Sequence, residues 1–155
     1  MRLLCCLDGS NIERINNAVT TFLPSAQLTI GLLYVTDSGP HGDMGLQRER
    51  FLRPPQPGPA RREQMRAAEQ SSAQEILAEG LRYLPGAETI RREGRPEREI
   101  VNVAAAWNAD LIVICPRSPQ SGGPALGPRS VGHVARFVLD HAPCAVLLVR
   151  APVKV

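Results

Sequence analysis

The sequence predicts an α/β fold: a single domain with a parallel sheet covered by helices on both faces. Three observations carry that expectation. Short runs of branched and aliphatic residues, Leu3 to Leu7, Asp110 to Ile114 and Ala145 to Val149, read as strands buried on both faces. Other segments carry apolar residues at helical spacing: Ile12, Ile15, Val19, Phe22 and Leu23, then Ile100, Val103, Ala104 and Trp107, then Val131, Val134, Ala135 and Val138. The two kinds of segment alternate along the chain, which points to parallel strands joined by right-handed crossovers.

In chain order, Leu3 to Leu7 is the first strand and ends at Asp8-Gly9. Asp8 or Ser10 is expected to cap the helix that follows, and Pro24 to stop it. Gln27 to Val35 alternates as a second strand. Periodicity is then lost from about residue 36 to 60, where prolines and glycines crowd an irregular insert. Arg61 to Leu84 reads as a long helix. Its first half is polar, either solvated or leaning on a partner, and its second half carries Ile76, Leu77, Leu81 and Leu84. Glu88 to Glu93 is a polar strand and belongs at or near an edge. Pro96 opens a third helix, a position where its missing N–H costs nothing. The stretch from Ala109 to Arg150 then reads strand, loop, helix, strand, with Ser130 opening the last helix. A ligand is expected at the carboxyl end of the Asp110–Ile114 strand, where the loop meets the helix N-terminus.

Composition narrows the function. A chain of 155 residues, 43% hydrophobic and 21% charged, is long enough for a real core, and 4% aromatic content makes that core aliphatic. A net charge of +3 gives no reason to expect a nucleic-acid partner. The apolar start is too short for a signal segment and no run reaches the ~18 residues of a membrane span, so a soluble, cytoplasmic protein is expected. Cys5 and Cys6 are neighbours in a strand and point to opposite faces, and no His/Cys spacing suits zinc, so reduced thiols are expected. His41 and Asp43 in the insert do not make a metal site. Arg48, Arg50, Arg53, Arg61, Arg62 and Arg66 form a basic cluster interspersed with glutamates, read as a solvated face or a surface for an acidic partner or phosphate.

The residues from Ala109 to Val113, the small-residue loop, Ser130-Val131, and above all the run from Phe137 through His141-Ala142-Pro143-Cys144 to Arg150 resemble the universal stress protein family. Leu3 to Ser10, with its Asp8-Gly9-Ser10 turn, and Gly94-Arg95-Pro96 with Ile100 fit the same resemblance, which covers nearly the whole chain outside about residues 38 to 60. The resemblance implies an open five-stranded sheet of order 3-2-1-4-5, Rossmann-like and similar to the adenine nucleotide alpha hydrolases. It also implies ATP, with Mg, over the ends of the first and fourth strands, and a homodimer through the last strand near Pro143 to Ala151.

In nucleotide-binding members of that family an Asp ends the first strand, and a loop of the form Gly-x-x-Gly-x9-Gly-Ser/Thr lets backbone N–H groups approach the phosphates. Carried over, Asp8 matches the Asp, Val35 a backbone contact near adenine, and Ser130 and Val131 the helix start. The glycines do not match: Cys115, Ser118 and Arg129 stand in their places, with Gly122, Gly123 and Gly127 out of register. Pro116, Pro119, Pro124 and Pro128 each remove a donor. Arg117 and Arg129 are able to grip phosphate through guanidinium forks, or to plug the pocket. Cys115, near a helix start, is a lesser candidate for a reactive thiol; His133 and His141 read as surface or capping residues.

The candidate nucleotide-binding residues are therefore Asp8, Val35, Cys115, Arg117, Ser118, Arg129, Ser130 and Val131. The reading is a non-catalytic stress-response or signalling protein with weakened or absent ATP binding. The alternative holds the nucleotide with Asp8, Ser130 and the loop arginines. An enzyme reading has less behind it: no Gly-x-x-x-x-Gly-Lys-Ser/Thr, no Gly-x-Gly-x-x-Gly after the first strand and no nucleophile–base pair is present. A protein partner of unspecified identity is expected in either case.

Overall fold

The computed structural model describes residues 1–23, 27–38, 58–116 and 130–151. Strands and helices alternate: β1 (Arg2–Leu7), α1 (Ile12–Phe22), β2 (Thr29–Asp37), α2 (Pro59–Tyr83), β3 (Glu88–Gly94), α3 (Pro96–Ala106), β4 (Leu111–Ile114), α4 (His133–His141) and β5 (Ala145–Leu148). The five strands form one parallel sheet in the order β3-β2-β1-β4-β5, as expected. In the centre Cys5 lies beside Leu32 of β2 and Val113 of β4.

Strand alternation divides the core into two layers. Leu3, Cys5 and Leu7 pack with Ile15 and Val19 of α1 and Leu77 of α2. Leu4 and Cys6 pack on the other face with Ile100 and Val103 of α3 and Val138 of α4. The adjacent cysteines thus belong to opposite layers, and all four cysteines are free thiols. Burial, followed by the nearby Cys115, pushes the Cys5 thiol up to about 12. Burial drives Cys6 up as well.

At the amino end of the sheet the single tryptophan anchors the chain start. The Arg2 guanidinium lies 4.1 Å from the Trp107 ring centroid and its Nε donates to the Trp107 carbonyl at 2.8 Å. Trp107 Nε1 donates to Glu88 at 3.0 Å. The backbone N–H of Arg2 donates to Asp110 at 2.7 Å. Gly31 makes room for the indole, since a Cβ there would stand 3.0 Å from the ring.

Several local expectations need correction. Asp8 and Ser10 do not cap α1: the N-cap is Asn11, and Asp8 Oδ1 instead accepts from the N–H and hydroxyl of Ser10. β2 spans Thr29–Asp37, running past Val35 into the first two positions of the expected insert. α2 starts at Pro59, not Arg61, and its first half is exposed while Ala73 and Leu77 are buried, as the polar-then-apolar pattern predicts. Ser130 does not open the last helix. Gly132 takes a left-handed backbone, φ +83°, and the helix starts at His133, leaving Ser130 and Val131 in the approach to it. β5 reads as a fully buried strand but is only half-buried because it lies at the edge. β3 is the other edge, as its polarity predicts. Pro24, most of the insert with His41, Asp43, Arg48, Arg50 and Arg53, and the loop residues Arg117, Ser118, Pro119, Gly122, Gly123, Pro124, Gly127, Pro128 and Arg129 lie outside the described residues.

Candidate functional site

Every crossover helix in a parallel sheet begins at the carboxyl end of the strands, so the helix N-termini gather there. A cleft of about 450 Å³ opens at that end, on the α3/α4 face, within the usual size range of small-molecule sites. Its walls come from the ends of β1, β2 and β4 and from the first turns of α3 and α4. Leu7, Leu33, Val35, Ile100, Ile114 and Val131 give it an apolar lining, while Asp8, Asp37, Glu97 and His133 bring polar side chains to it. No arginine or lysine lines it among the described residues.

Asp8 sits where β1 ends and its side chain is exposed. The residue that fixes it is Asn11, only 2% exposed. Asn11 Oδ1 accepts from the Asp8 N–H at 3.0 Å, and its Nδ2 donates to the Cys6 carbonyl at 2.9 Å. One amide therefore satisfies two strand-end backbone groups and holds the turn against β1. Replacing it would leave those groups buried without partners.

Cys115 follows β4 and is buried beside the same turn. Its thiol is pushed up chiefly by burial and further by Asp8, with Arg14 and an Asn11 hydrogen bond acting the other way. A raised thiol at the cleft is a poor nucleophile at neutral pH, which argues against the reactive-cysteine reading. Tyr34, also at the cleft, is pushed up by burial first, then by Asp8 and Glu69.

The approach to α4 is built by a local turn. Ser130 Oγ accepts from the Gly132 N–H at 3.3 Å, and Gly132 then presents the first turn of α4 to the cleft. His133 occupies the first helical position and lines the cleft from its exposed rim, in keeping with its reading as a surface residue. Its Nε2 stands 3.6 Å from Oε1 of Glu97, which lies in the first turn of α3. The Glu97 side chain is 12% exposed and that of His133 is 78% exposed, so the carboxylate is held and the imidazole is at the rim.

Of the sequence-derived candidates, the fold brings Asp8, Val35, Cys115 and Val131 to one cleft, with Ser130 hydrogen-bonded at its edge. Arg117, Ser118 and Arg129 lie outside the described residues. Sequence reasoning missed Asn11 and Glu97, and gave the surface residue His133 no part in a site. Asn11 had a signal, an Asn immediately before the first apolar-periodic residue. Glu97 and His133 meet only because α3 and α4 pack side by side, and no spacing along the chain encodes that. No group of three or more His, Cys, Asp or Glu able to hold a metal occurs among the described residues.

The family model for the universal stress protein family matches residues 1–150 of the chain. No curated protein matches it in sequence. Among solved structures, a universal stress protein from Lactobacillus plantarum is 22% identical, with 97% of each chain covered and a TM-score of 0.69. A universal stress protein in complex with cAMP is 16% identical, covering 97% of this chain and 96% of that one, with a TM-score of 0.62. A family protein from Arabidopsis thaliana with AMP bound is 16% identical, covering 98% and 92%, with a TM-score of 0.61. At these identities the likeness establishes the shared fold.

Proposed function

From the premise that the chain belongs to the universal stress protein family, we propose that it is a non-catalytic stress-response or signalling protein that takes an adenine nucleotide into the α3/α4 cleft and holds base and sugar more firmly than phosphate. The observation that carries this reading is the lining of the cleft. Its apolar walls suit an aromatic base, and Asp8 at the strand end is an acceptor for ribose hydroxyls. Structures of similar fold with AMP or cAMP bound make that ligand class the natural one to test.

The phosphates meet a mixed field. The N-termini of α3 and α4 both face the cleft and favour an anion, by up to about 1 kcal/mol each. Asp8, Asp37 and Glu97 oppose it. A phosphate about 6 Å from one carboxylate loses roughly 1–3 kcal/mol at effective dielectric constants between those of water and a protein surface. Weakened ATP binding follows unless magnesium or the guanidiniums of Arg117 and Arg129 offset the carboxylates. We further propose a homodimer through the uncharged edge strand β5, with ATP and magnesium as an occasional rather than an obligate occupant, in the cytoplasm. No helix among the described residues is long and apolar enough to cross a membrane.

Calorimetric titration with adenosine, AMP and ATP with magnesium tests the reading. Adenosine and ATP should bind within about tenfold of each other, a difference of about 1.4 kcal/mol, and Asp8→Ala should weaken both by at least about tenfold. Arg117→Ala with Arg129→Ala should weaken ATP and leave adenosine unchanged. No saturable heat from any of the three at ~1 mM would turn the protein into an interaction module with a degenerate site.

A further inference from the structure

We propose that a second, polar cleft on the opposite face of the sheet binds a small zwitterion of the α-amino-acid class, independently of the nucleotide reading. The cleft, about 190 Å³, lies between the outer half of α2 and the carboxyl ends of β2 and β3, and is lined by Thr36, Arg66, Glu69, Gln70, Arg91 and Glu93. It is smaller than the ~300 Å³ at the low end of ordinary organic-ligand sites, so its occupant is amino-acid-sized and not a nucleotide.

The charges set the ligand's chemistry. Arg66, Glu69 and Gln70 are spaced i, i+3 and i+4 on α2 and share one face. Arg91 and Glu93 are alternate residues of β3 and share one face of the sheet, and Glu93 is in register with Thr36. Each wall therefore supplies one guanidinium and one carboxylate. Among the described residues no ion pair joins any of these four groups, although they line one small cleft. A simple anion gains from the arginines but is repelled by the glutamates, and a simple cation meets the reverse. A ligand carrying a carboxylate and an ammonium satisfies both signs at once.

The floor gives an independent sign of an absent partner. Thr36 is 7% exposed, and its hydroxyl is a buried polar group with no hydrogen-bond partner among the described residues. Such groups are uncommon and unfavourable unless water or a ligand meets them. The cleft also gives a purpose to the outer half of α2, a helical overhang that buries no residue before Ala73.

Amide NMR of the whole chain, titrated separately with glycine, glutamine, inorganic phosphate and methylammonium, tests the proposal. Glycine or glutamine should give saturable shifts at Thr36, Gln70 and Glu93, with affinity at least about tenfold tighter than either simple ion. Arg91→Gln and Glu93→Gln should each weaken amino-acid binding by about tenfold or more, and the spectra themselves report whether each variant folds. Absence of saturable shifts with either amino acid up to ~10 mM overturns the proposal. So does phosphate or methylammonium binding as tightly as the amino acids, which would mark a simple ion site.

Discussion

β3 and β5 face the same hazard, a row of strand N–H and C=O groups with no neighbouring strand beyond them among the described residues. β3 carries Arg91, Arg92 and Glu93 along its length. β5 reads Ala145-Val146-Leu147-Leu148, without a charge and with its last three residues half-buried. The first edge repels a second strand. The second carries no such guard, which suits the homodimer proposed above. The centre contrasts with both: β1 is buried from Leu3 to Leu7 because helices cover both faces of the sheet there. Depth in the sheet, more than strand sequence, decides what a substitution costs.

The largest effect sharpens the contrast between centre and edge. Leu4→Ala in β1, a fully buried position, should destabilise the protein by about 3 kcal/mol, against about 1 kcal/mol for Leu147→Ala in β5, in urea unfolding of the two variants. Equal losses would mean that β5 is as covered as the centre. Next, Leu148→Arg should dissociate the dimer proposed above by about 100-fold or more, measured by light scattering across a dilution series. A variant that stays dimeric would place the interface elsewhere.

A smaller effect tests the centre alone. The folded-state pKa of Cys5 lies above the 9.0 of an unperturbed thiol, so the folded chain keeps a proton that the unfolded chain releases. The stability that this thiol contributes is whole below about pH 9 and should be lost as pH rises toward 12. Cys5→Ala should flatten that fall in melting scans from pH 8 to 11, whereas a variant that still loses stability with the same slope would assign it to other groups. The smallest effect tries to break the comparison. Arg92→Val strips one charge from β3 and should raise self-association only slightly, by about 0.5 kcal/mol in sedimentation, because Arg91 and Glu93 remain. A large increase would show that a single charge guards that edge.

The legible part of the molecule is the part encoded by local pattern. Alternating apolar runs and helical stripes place all five strands and four helices, and the polarity of Glu88 to Glu93 places β3 at an edge. The start of α4 was not legible. Val131 continues the apolar spacing of the helix, and only the left-handed backbone of Gly132, with Ser130 Oγ holding its N–H, shows that the chain is still turning there. Asp8 was legible as a residue at a strand end facing the cleft, but its local role was misjudged. A side chain two residues from Ser10 bonds within its own turn more readily than it reaches a helix whose N-cap is Asn11. His133 beside Glu97 was beyond sequence reasoning because it is a meeting of two helices, and the meeting depends on how α3 and α4 pack.

The indole of Trp107 has a use of its own. It lies beneath Arg2 and against Gly31, at the amino ends of the strands, whereas both clefts open at the carboxyl ends. As the only tryptophan in the chain, it is a fluorophore placed at the far end from both clefts. Its emission follows the chain start coming loose from the sheet and is blind to simple filling of a cleft. A cleft ligand that shifts its emission wavelength should be acting on the sheet from end to end.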